Sequence, residues 1–387
     1  VSTDHQTAAE RPQLPPPRPM PPVPERGQGV PSCDEIRYLI AHAEAAPSGG
    51  NFQPWRFVSR GAVLDCRIVP EVGDYFANFR SNELYISLGA AVANIEAAAA
   101  RIGLVVQMET FPVAGDPELA CRLEMRRGDP ELWLARLAEE IPYRLSARKA
   151  GQRRPLSAEH GEALERVAAN AGCALRLVSD GAALDRLGSV LATLNHMAYL
   201  NRESHQGIMK ILRWSRQEAR ATGDGILLST FELSAFEQMA FAMLRSWPVV
   251  YALDRLGVGA AIRKAALEWA TSSSAMALLS APGRHPLPFL IAGRALERIW
   301  LEVTQSSYGL HILGVLSLLD RLEHAGEGLS EAECRTLERQ RSELRQVLPV
   351  PEGHTAAVLL RAVPANPNVE RTFRRGTDGI VSFEDAS

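Results

Sequence analysis

The stretch Ala45-Ala46-Pro47-Ser48-Gly49-Gly50-Asn51-Phe52-Gln53-Pro54-Trp55-Arg56-Phe57 decides how this chain is read. It lies between two apolar elements. Before it, Ser32 and Glu35 fit an S-x-x-E capping box, and Ile36, Leu39 and Ile40 follow at helical spacing, which predicts a helix to about Ala46. After it, Trp55 to Val58 and Leu64 to Val69 read as short strands around a turn at Gly61. Punctuation between helix and strand accounts for Pro47 and the glycines. It leaves Ser48, Asn51 and Gln53 unexplained. A loop of this make-up offers backbone N–H groups and amide side chains to a flat polar ring, and its glycines let the backbone come close.

Three further strings stand out. Arg144-Leu145-Ser146-Ala147-Arg148 sets two guanidiniums and a hydroxyl in a short span, a set suited to a dianionic phosphate. Alone it reads first as a solvated basic turn, since Arg153 and Arg154 follow. Tyr308-Gly309-Leu310 follows a helix predicted from Ala292, where a glycine is first of all a C-cap. Arg374-Arg375 precedes Ile380-Val381 in the last stretch of the chain, where arginines are ordinarily solvated.

The first string resembles the A-P-S-x-x-N-x-Q-P-W signature of the nitroreductase-fold flavoproteins, which bind FMN, and the match is ungapped. The second resembles the R-x-S/T-x-R pattern with which that family holds the FMN phosphate. The resemblance implies that Pro47, Ser48, Gly49 and Asn51 touch the flavin ring, while Gln53 and Trp55 fix the loop. It implies that Arg144, Ser146 and Arg148 grip the phosphate, that the backbone of Gly309 and Leu310 reaches the flavin, and that Arg374 and Arg375 complete the phosphate site. It names no catalytic residue.

The order of the strings departs from the common pattern. Ordinary members carry R-x-S-x-R first, in a chain about half this length that forms a domain-swapped dimer. The order and length here resemble the double-length branch, which includes mycobacterial Acg-like proteins and modules beside or fused to ThiF-like domains. That likeness covers residues 33–385 and implies an α+β, nitroreductase-like fold, a single-chain pseudo-dimer of two halves with a mostly helical insertion. The halves are expected at 32–140 and 141–387, with the insertion at about 207–286. Each motif occurs once, which implies one composite flavin site per chain. Trp214, Trp247 and Trp269 read first as ordinary core, with lining of the covered side as their alternative.

A faint internal similarity points the same way. Gly89 leads through a helix to Gly103-Leu104, and Gly293 leads through a helix to Gly309-Leu310, the two spans differing by two residues. Further helices are predicted from Ser157, from Asp180 to about Leu200, and from the Ser330–Glu333 capping box to about Val347. Strands are predicted at Ala174 to Val178 and Thr355 to Val363.

Composition narrows the function classes. The 387 residues are 46% hydrophobic and 22% charged, as in a globular chain. Lys and Arg total 42 against 45 Asp and Glu, a net charge of -3, which argues against a nucleic-acid binder. The five cysteines form no CxxC, and there is no HExxH, so neither a disulfide framework nor a metal site is expected and a reducing cytoplasm is the simplest compartment. Leu88 to Val106 is interrupted by Asn94, Glu96 and Arg101, so no membrane span is expected, and no secretory signal pattern opens the chain. Residues 1–31 hold nine Pro and read as an extended tail or linker, with a ligand for a proline-reading module as the alternative. No GxSxG, Walker loop or GxGxxG appears, so NAD(P)H is expected only as a transient donor over the flavin.

Three functions follow from the resemblance. The first is an FMN oxidoreductase acting on a small molecule, such as a nitroaromatic, a quinone or a peptide-derived compound. The second is a flavin-sequestering protein without turnover. The third is an accessory module joined through residues 1–31 to a ThiF-like partner. A homodimer is open under all three.

Overall fold

The capping box read at Ser32 forms: Ser32 Oγ accepts from Glu35 N at 3.2 Å and the Glu35 carboxylate accepts from Ser32 N at 2.9 Å. It starts α1 (Cys33–Glu44), which buries Ile36, Leu39 and Ile40. The computed structural model describes residues 14–384 apart from residues 152 and 258. Then come β1 (Trp55–Arg60), β2 (Val63–Ile68), α2 (Asn82–Arg101), β3 (Leu104–Thr110), β4 (Leu119–Arg127), α3 (Leu132–Leu137), α4 (Ala158–Asn170), β5 (Ala174–Val178) and α5 (Gly181–Leu200). A mostly helical stretch holds α6 (Arg202–Ile211), β6 (Leu212–Arg213), α7 (Arg216–Thr222), β7 (Ile226–Leu227), α8 (Ala235–Met243), α9 (Trp247–Arg255) and α10 (Gly259–Thr271). The chain continues through β8 (Ala275–Pro282), α11 (Leu287–Gln305), β9 (Tyr308–Ile312), α12 (Leu316–Glu323), α13 (Glu331–Val347), β10 (His354–Pro364) and β11 (Val381–Phe383). The class is α+β with an extra helical region, as expected.

Two larger sheets carry the chain. One runs β11-β1-β2-β4-β3, antiparallel except for the parallel β1–β11 pair; the other runs β5-β8-β10-β9, all antiparallel. One contiguous core joins residues of both sheets with α2 and α11. These two helices cross at paired glycines. A Cβ on Gly89 would overlap the Leu290 carbonyl oxygen, and a Cβ on Gly293 would overlap the Ile86 carbonyl oxygen. Each glycine thus packs on the carbonyl three residues before the other, so the contact is reciprocal. Glu96 of α2, buried at the crossing, accepts from Arg294 Nε at 2.8 Å and Arg298 Nη2 at 2.6 Å, both on α11.

The structure shifts the expected repeat by two residues. Gly103, fourteen residues after Gly89, takes φ 75°, and Ser307, fourteen residues after Gly293, takes φ 58°. Strands β3 and β9 start at the very next residue in each case, Leu104 and Tyr308. Ser307 therefore occupies the left-handed terminus, and Gly309 is a strand residue rather than the expected C-cap.

Two other expectations change. Within 207–286, Ala275–Pro282 is a core strand, buried at every position but the last. The helical stretch ends at Thr271. From Leu14 on, the Pro-rich tail holds no helix or strand and is docked on the body rather than a free linker; residues 1–13 lie outside the described residues. Leu14 packs with Leu145, Ala147, Val363 and Val369. Arg18 N donates to Pro142 O at 2.9 Å.

Candidate functional site

The loop after α1 is held by its own polar side chains. Ser48 Oγ accepts from Gln53 N at 3.0 Å. Asn51 and Gln53 take left-handed backbone, φ 59° and 51°, a cost that their side chains offset by bonding main chain elsewhere. Asn51 Nδ2 donates to Phe373 O at 2.9 Å and Gly225 O at 3.1 Å, and its Oδ1 accepts from Arg374. Gln53 Nε2 donates to Gly223 O and its Oε1 accepts from Arg375 N, both at 2.9 Å. Two amides thus staple the loop to residues 223–225 and 373–375. Gly49 N donates to Ser87 Oγ on α2 at 3.1 Å.

This loop forms one wall of a cavity of about 810 Å³, within the range of small-molecule sites. Pro47, Ser48, Gly49, Asn51, Arg144, Ser146, Arg148 and Arg374 all line it, so the structure brings together residues more than 300 positions apart. Arg144 Nη2 donates to Ala45 O at 2.9 Å, and Arg374 Nη2 donates to Ala46 O at 2.8 Å. Arg148 Nη1 donates to Thr230 Oγ1 at 3.2 Å. Arg18 and Arg371 line the same region: Arg18 Nη2 donates to Thr372 O at 3.3 Å, and Arg371 Nη1 to Arg144 O at 2.5 Å.

These five guanidiniums are short of anions. Arg144 Nε stands 3.3 Å from a carboxylate oxygen of the buried Glu297, without hydrogen-bond alignment. Buried N–H groups without a partner remain on Arg18, Arg144, Arg371 and Arg374. Burial first, then mutual repulsion, pulls Arg18 and Arg148 down to about 10 and Arg371 to about 9. Arg374 falls well below its ordinary value for the same reasons. Burial also lifts Glu297 to about 7, despite Arg144, which weakens it as a counter-charge. A cluster of buried, mutually repelling cations with free donors fits a multiply charged anion such as a phosphate.

Three expected contacts fall elsewhere. Gly309 and Leu310 do not line the cavity. They back the arginine segment: Ala147 N donates to Leu310 O at 3.0 Å, and a Cβ on Gly309 would come within 2.7 Å of Ala147 Cβ. Only glycine lets β9 lie that close. Arg375 points away and pairs with Asp224 at 2.6 Å, which ties the C-terminal segment to the helical stretch. Trp269 lines the cavity, whereas Trp214 packs on Phe241 and Trp247 on Tyr251.

The cavity also holds residues that the motifs do not mark. Tyr75, Asn82 and Glu83 meet Asp320 there, and Tyr75 OH donates to Glu83 Oε2 at 2.6 Å. The signal for Glu83 is its place in the first turn of α2, a position shared by many ordinary helices. His311 also lines the cavity; burial and then Arg361 and Arg148 hold it neutral. One side of α8 covers the cavity through Ala240 and Phe241, while Phe236, Met239 and Met243 face outward. Among the described residues no cluster of three or more His, Cys, Asp or Glu is placed to hold a metal, and no helix is long and apolar enough to cross a membrane.

No protein-family profile matches the sequence. The chain is 28% identical over 369 residues to the uncharacterized protein MT1398 of Mycobacterium tuberculosis, covering 92% of this chain and 51% of that one. It is 29% identical over 172 residues to MT3217 of the same species, provisionally named an NAD(P)H nitroreductase, covering 43% and 48%. The chain spans about half the length of the relatives it matches. Among solved structures it overlaps NfnB of Mycobacterium smegmatis, an FMN-dependent nitroreductase in complex with NADPH, with a TM-score of 0.40, 19% identity and coverage of 65% and 99%. It overlaps an FMN-bound nitroreductase of Bacteroides fragilis with a TM-score of 0.34, 13% identity and coverage of 64% and 98%.

Proposed function

We propose that this cavity binds FMN and that the chain is an FMN-dependent oxidoreductase of the nitroreductase superfamily, with one flavin site per chain and NAD(P)H as a transient donor. The observation that carries this reading is the group of buried guanidiniums with unpartnered N–H donors beside the Pro47–Asn51 loop. Arg144, Arg148, Arg374 and Arg18 would hold the phosphate, with the Ser146 hydroxyl beside them. Arg371 positions the Arg144 main chain. Pro47, Ser48 and Gly49 would face the ring, while Asn51, whose amide is already engaged, sets the loop. Bound FMN would supply two-electron hydride chemistry. The protein's share is to bind, orient and exclude water, the last through α8 and the Trp269 face of α10. The partial likeness to MT3217 supports the reductase class.

The reciprocal Gly89–Gly293 crossing supports a single-chain pseudo-dimer, with halves at 32–140 and 141–387. The motifs then contribute one composite site, with the ring loop from the first half and the phosphate grip from the second.

Titration of flavin-free protein with FMN and with riboflavin, which lacks the phosphate, tests the assignment. FMN should bind at least a hundredfold tighter, and Arg144→Ala with Arg148→Ala should remove that preference, each charge-assisted contact contributing about 1.5–3 kcal/mol. Equal affinity for the two flavins would sink the phosphate site. The cover of α8 favours a second reading, a flavin-storing protein closed to hydride donors. Anaerobic NADPH and NADH distinguish the two: bleaching of bound flavin supports the reductase, and bleaching by dithionite alone supports storage.

A further inference from the structure

Where α2 meets α12, the cavity wall carries several hydrogen-bond acceptors among its apolar side chains. Asn82 is 6% exposed, and its Oδ1 has no partner although it lines the cavity. Its Nδ2 is spent on Asp320 Oδ2 at 3.1 Å. Tyr75 OH is spent on Glu83 Oε2 at 2.6 Å. Among the described residues Glu83 Oε1 and Asp320 Oδ1 receive no side-chain donor. Gly49 belongs to the same arrangement, since a Cβ there would overlap the Glu83 carboxyl; glycine at this place lets the flavin-facing loop lie directly against the acid.

The nearby cations are committed elsewhere. Arg80 bonds His324 Nε2, whose Nδ1 lies 2.9 Å from the Asp320 main-chain oxygen. Arg321 donates to Phe76 O at 2.8 Å and Glu327 O at 3.1 Å. Lys210 pairs with Asp74 at 3.1 Å, and Arg345 with Glu323 at 3.1 Å. No arginine or lysine favours ionisation of either cavity carboxyl. Burial raises Glu83, and burial with repulsion from Glu323 and Glu83 raises Asp320 to about 7. Two half-buried carboxyls, each holding one neutral donor, therefore lie beside a buried amide oxygen that has none, a costly state for that oxygen.

We infer that Glu83, Asp320 and Asn82 form a subsite for a cationic, N–H-rich substrate group, an amidinium or primary ammonium. As a substrate subsite this rests on the flavin reading above; the binding itself does not require flavin. A planar amidinium offers up to four N–H donors on one plane, enough for Glu83 Oε1, Asp320 Oδ1 and Asn82 Oδ1 together, and its charge favours ionisation of both acids. The cavity then has two poles of opposite sign. An anionic group is taken at the arginine end, and a cationic substrate at the α2 end.

Calorimetric titration of the protein as purified, and again after flavin removal, compares three flat probes of similar size: benzamidine as donor and cation, nitrobenzene as neutral acceptor, and benzoate as anion. Benzamidine should bind at least tenfold tighter than either of the others, and Asp320→Asn and Glu83→Gln should each cut its affinity about tenfold while circular dichroism stays unchanged. Should the variants fail to fold, the ranking of the three probes on the unaltered protein still decides. Nitrobenzene or benzoate binding as tightly as benzamidine, or no saturable benzamidine binding, overturns the subsite. Parallel FMN titration reports separately on the flavin reading, so that loss of one does not masquerade as loss of the other.

Discussion

The helices that cross at Gly89 and Gly293 share a backbone arrangement and carry opposite first turns. Counted from the crossing glycine, Asn82, Glu83 and Ser87 of α2 correspond to Pro286, Leu287 and Ile291 at the start of α11. The α2 turn is polar, bonds the loop through Ser87 and faces the cavity. The α11 turn is apolar, with Phe289 and Leu290 in the core. Equivalent geometry on the two sides thus carries a polar first turn on one side only. Backbone architecture places a site; a handful of side chains decides whether it exists.

Breaking the shared part should produce the largest effect. Glu96→Ala leaves Arg294 and Arg298 without their buried carboxylate and should cost about 3–5 kcal/mol, read by urea unfolding. Gly89→Ala forces a methyl against the Leu290 carbonyl, backbone that cannot swing aside, and should cost about 2–3 kcal/mol. Sharpening the difference comes next. Glu83→Leu gives α2 the residue that α11 carries at the matching place; it should cost about 1–2 kcal/mol, because the buried Tyr75 hydroxyl loses its acceptor while apolar packing is gained. Benzamidine binding should vanish with it.

Titration sharpens the contrast further. Asp320 and Glu297 each sit at about 7, above their ordinary 3.8 and 4.5. The folded, ligand-free protein keeps protons there that the unfolded chain has released, so its stability should fall as pH rises from about 4 to 7. Asp320→Asn should flatten part of that slope in melting temperatures. Glu35 behaves oppositely: Arg127 holds it at about 2, so its contribution is present above 4.5 and lost as pH falls towards 2. The smallest effect is a control. Gly181→Ala, at the start of α5 with nothing within 4 Å of the new methyl, should stabilise by about 0.5 kcal/mol. A matching gain at Gly89 would mean that the helix crossing is not a close contact.

What could be read in advance was local. The capping boxes at Ser32 and Ser330 and the strand at Ala174–Val178 rest on neighbours a few residues apart, and they form where read. The Pro47–Asn51 loop and the Arg144–Arg148 segment were legible because their residues sit close in sequence. Strand β8 was not, since burial at nearly every position removes the alternation that marks a strand. Arg18 was invisible for a different reason. A lone arginine among prolines carries no pattern, and contacts far along the chain, with Pro142 and Thr372, place it beside the arginine cluster. Arg374 and Arg375 are adjacent in sequence yet part company, one into the cavity and one to Asp224, because an extended backbone alternates its faces. Asn82 and Asp320 are 238 positions apart, and nothing in either neighbourhood points to the other.

The bonds from Asn51 and Gln53 to residues 373–375 carry a consequence for biosynthesis. While the ribosome is still making the C-terminal stretch, the loop near position 50 has no Arg374 to meet it and β1 has no β11 alongside. Asn51 would then lack the Phe373 carbonyl and the Arg374 guanidinium, and Gln53 the Arg375 N–H, so the loop should stay unset until those residues are made. Loading of a small molecule at this place would wait for residues 371–375, and a nascent chain stalled before residue 371 should emerge without it.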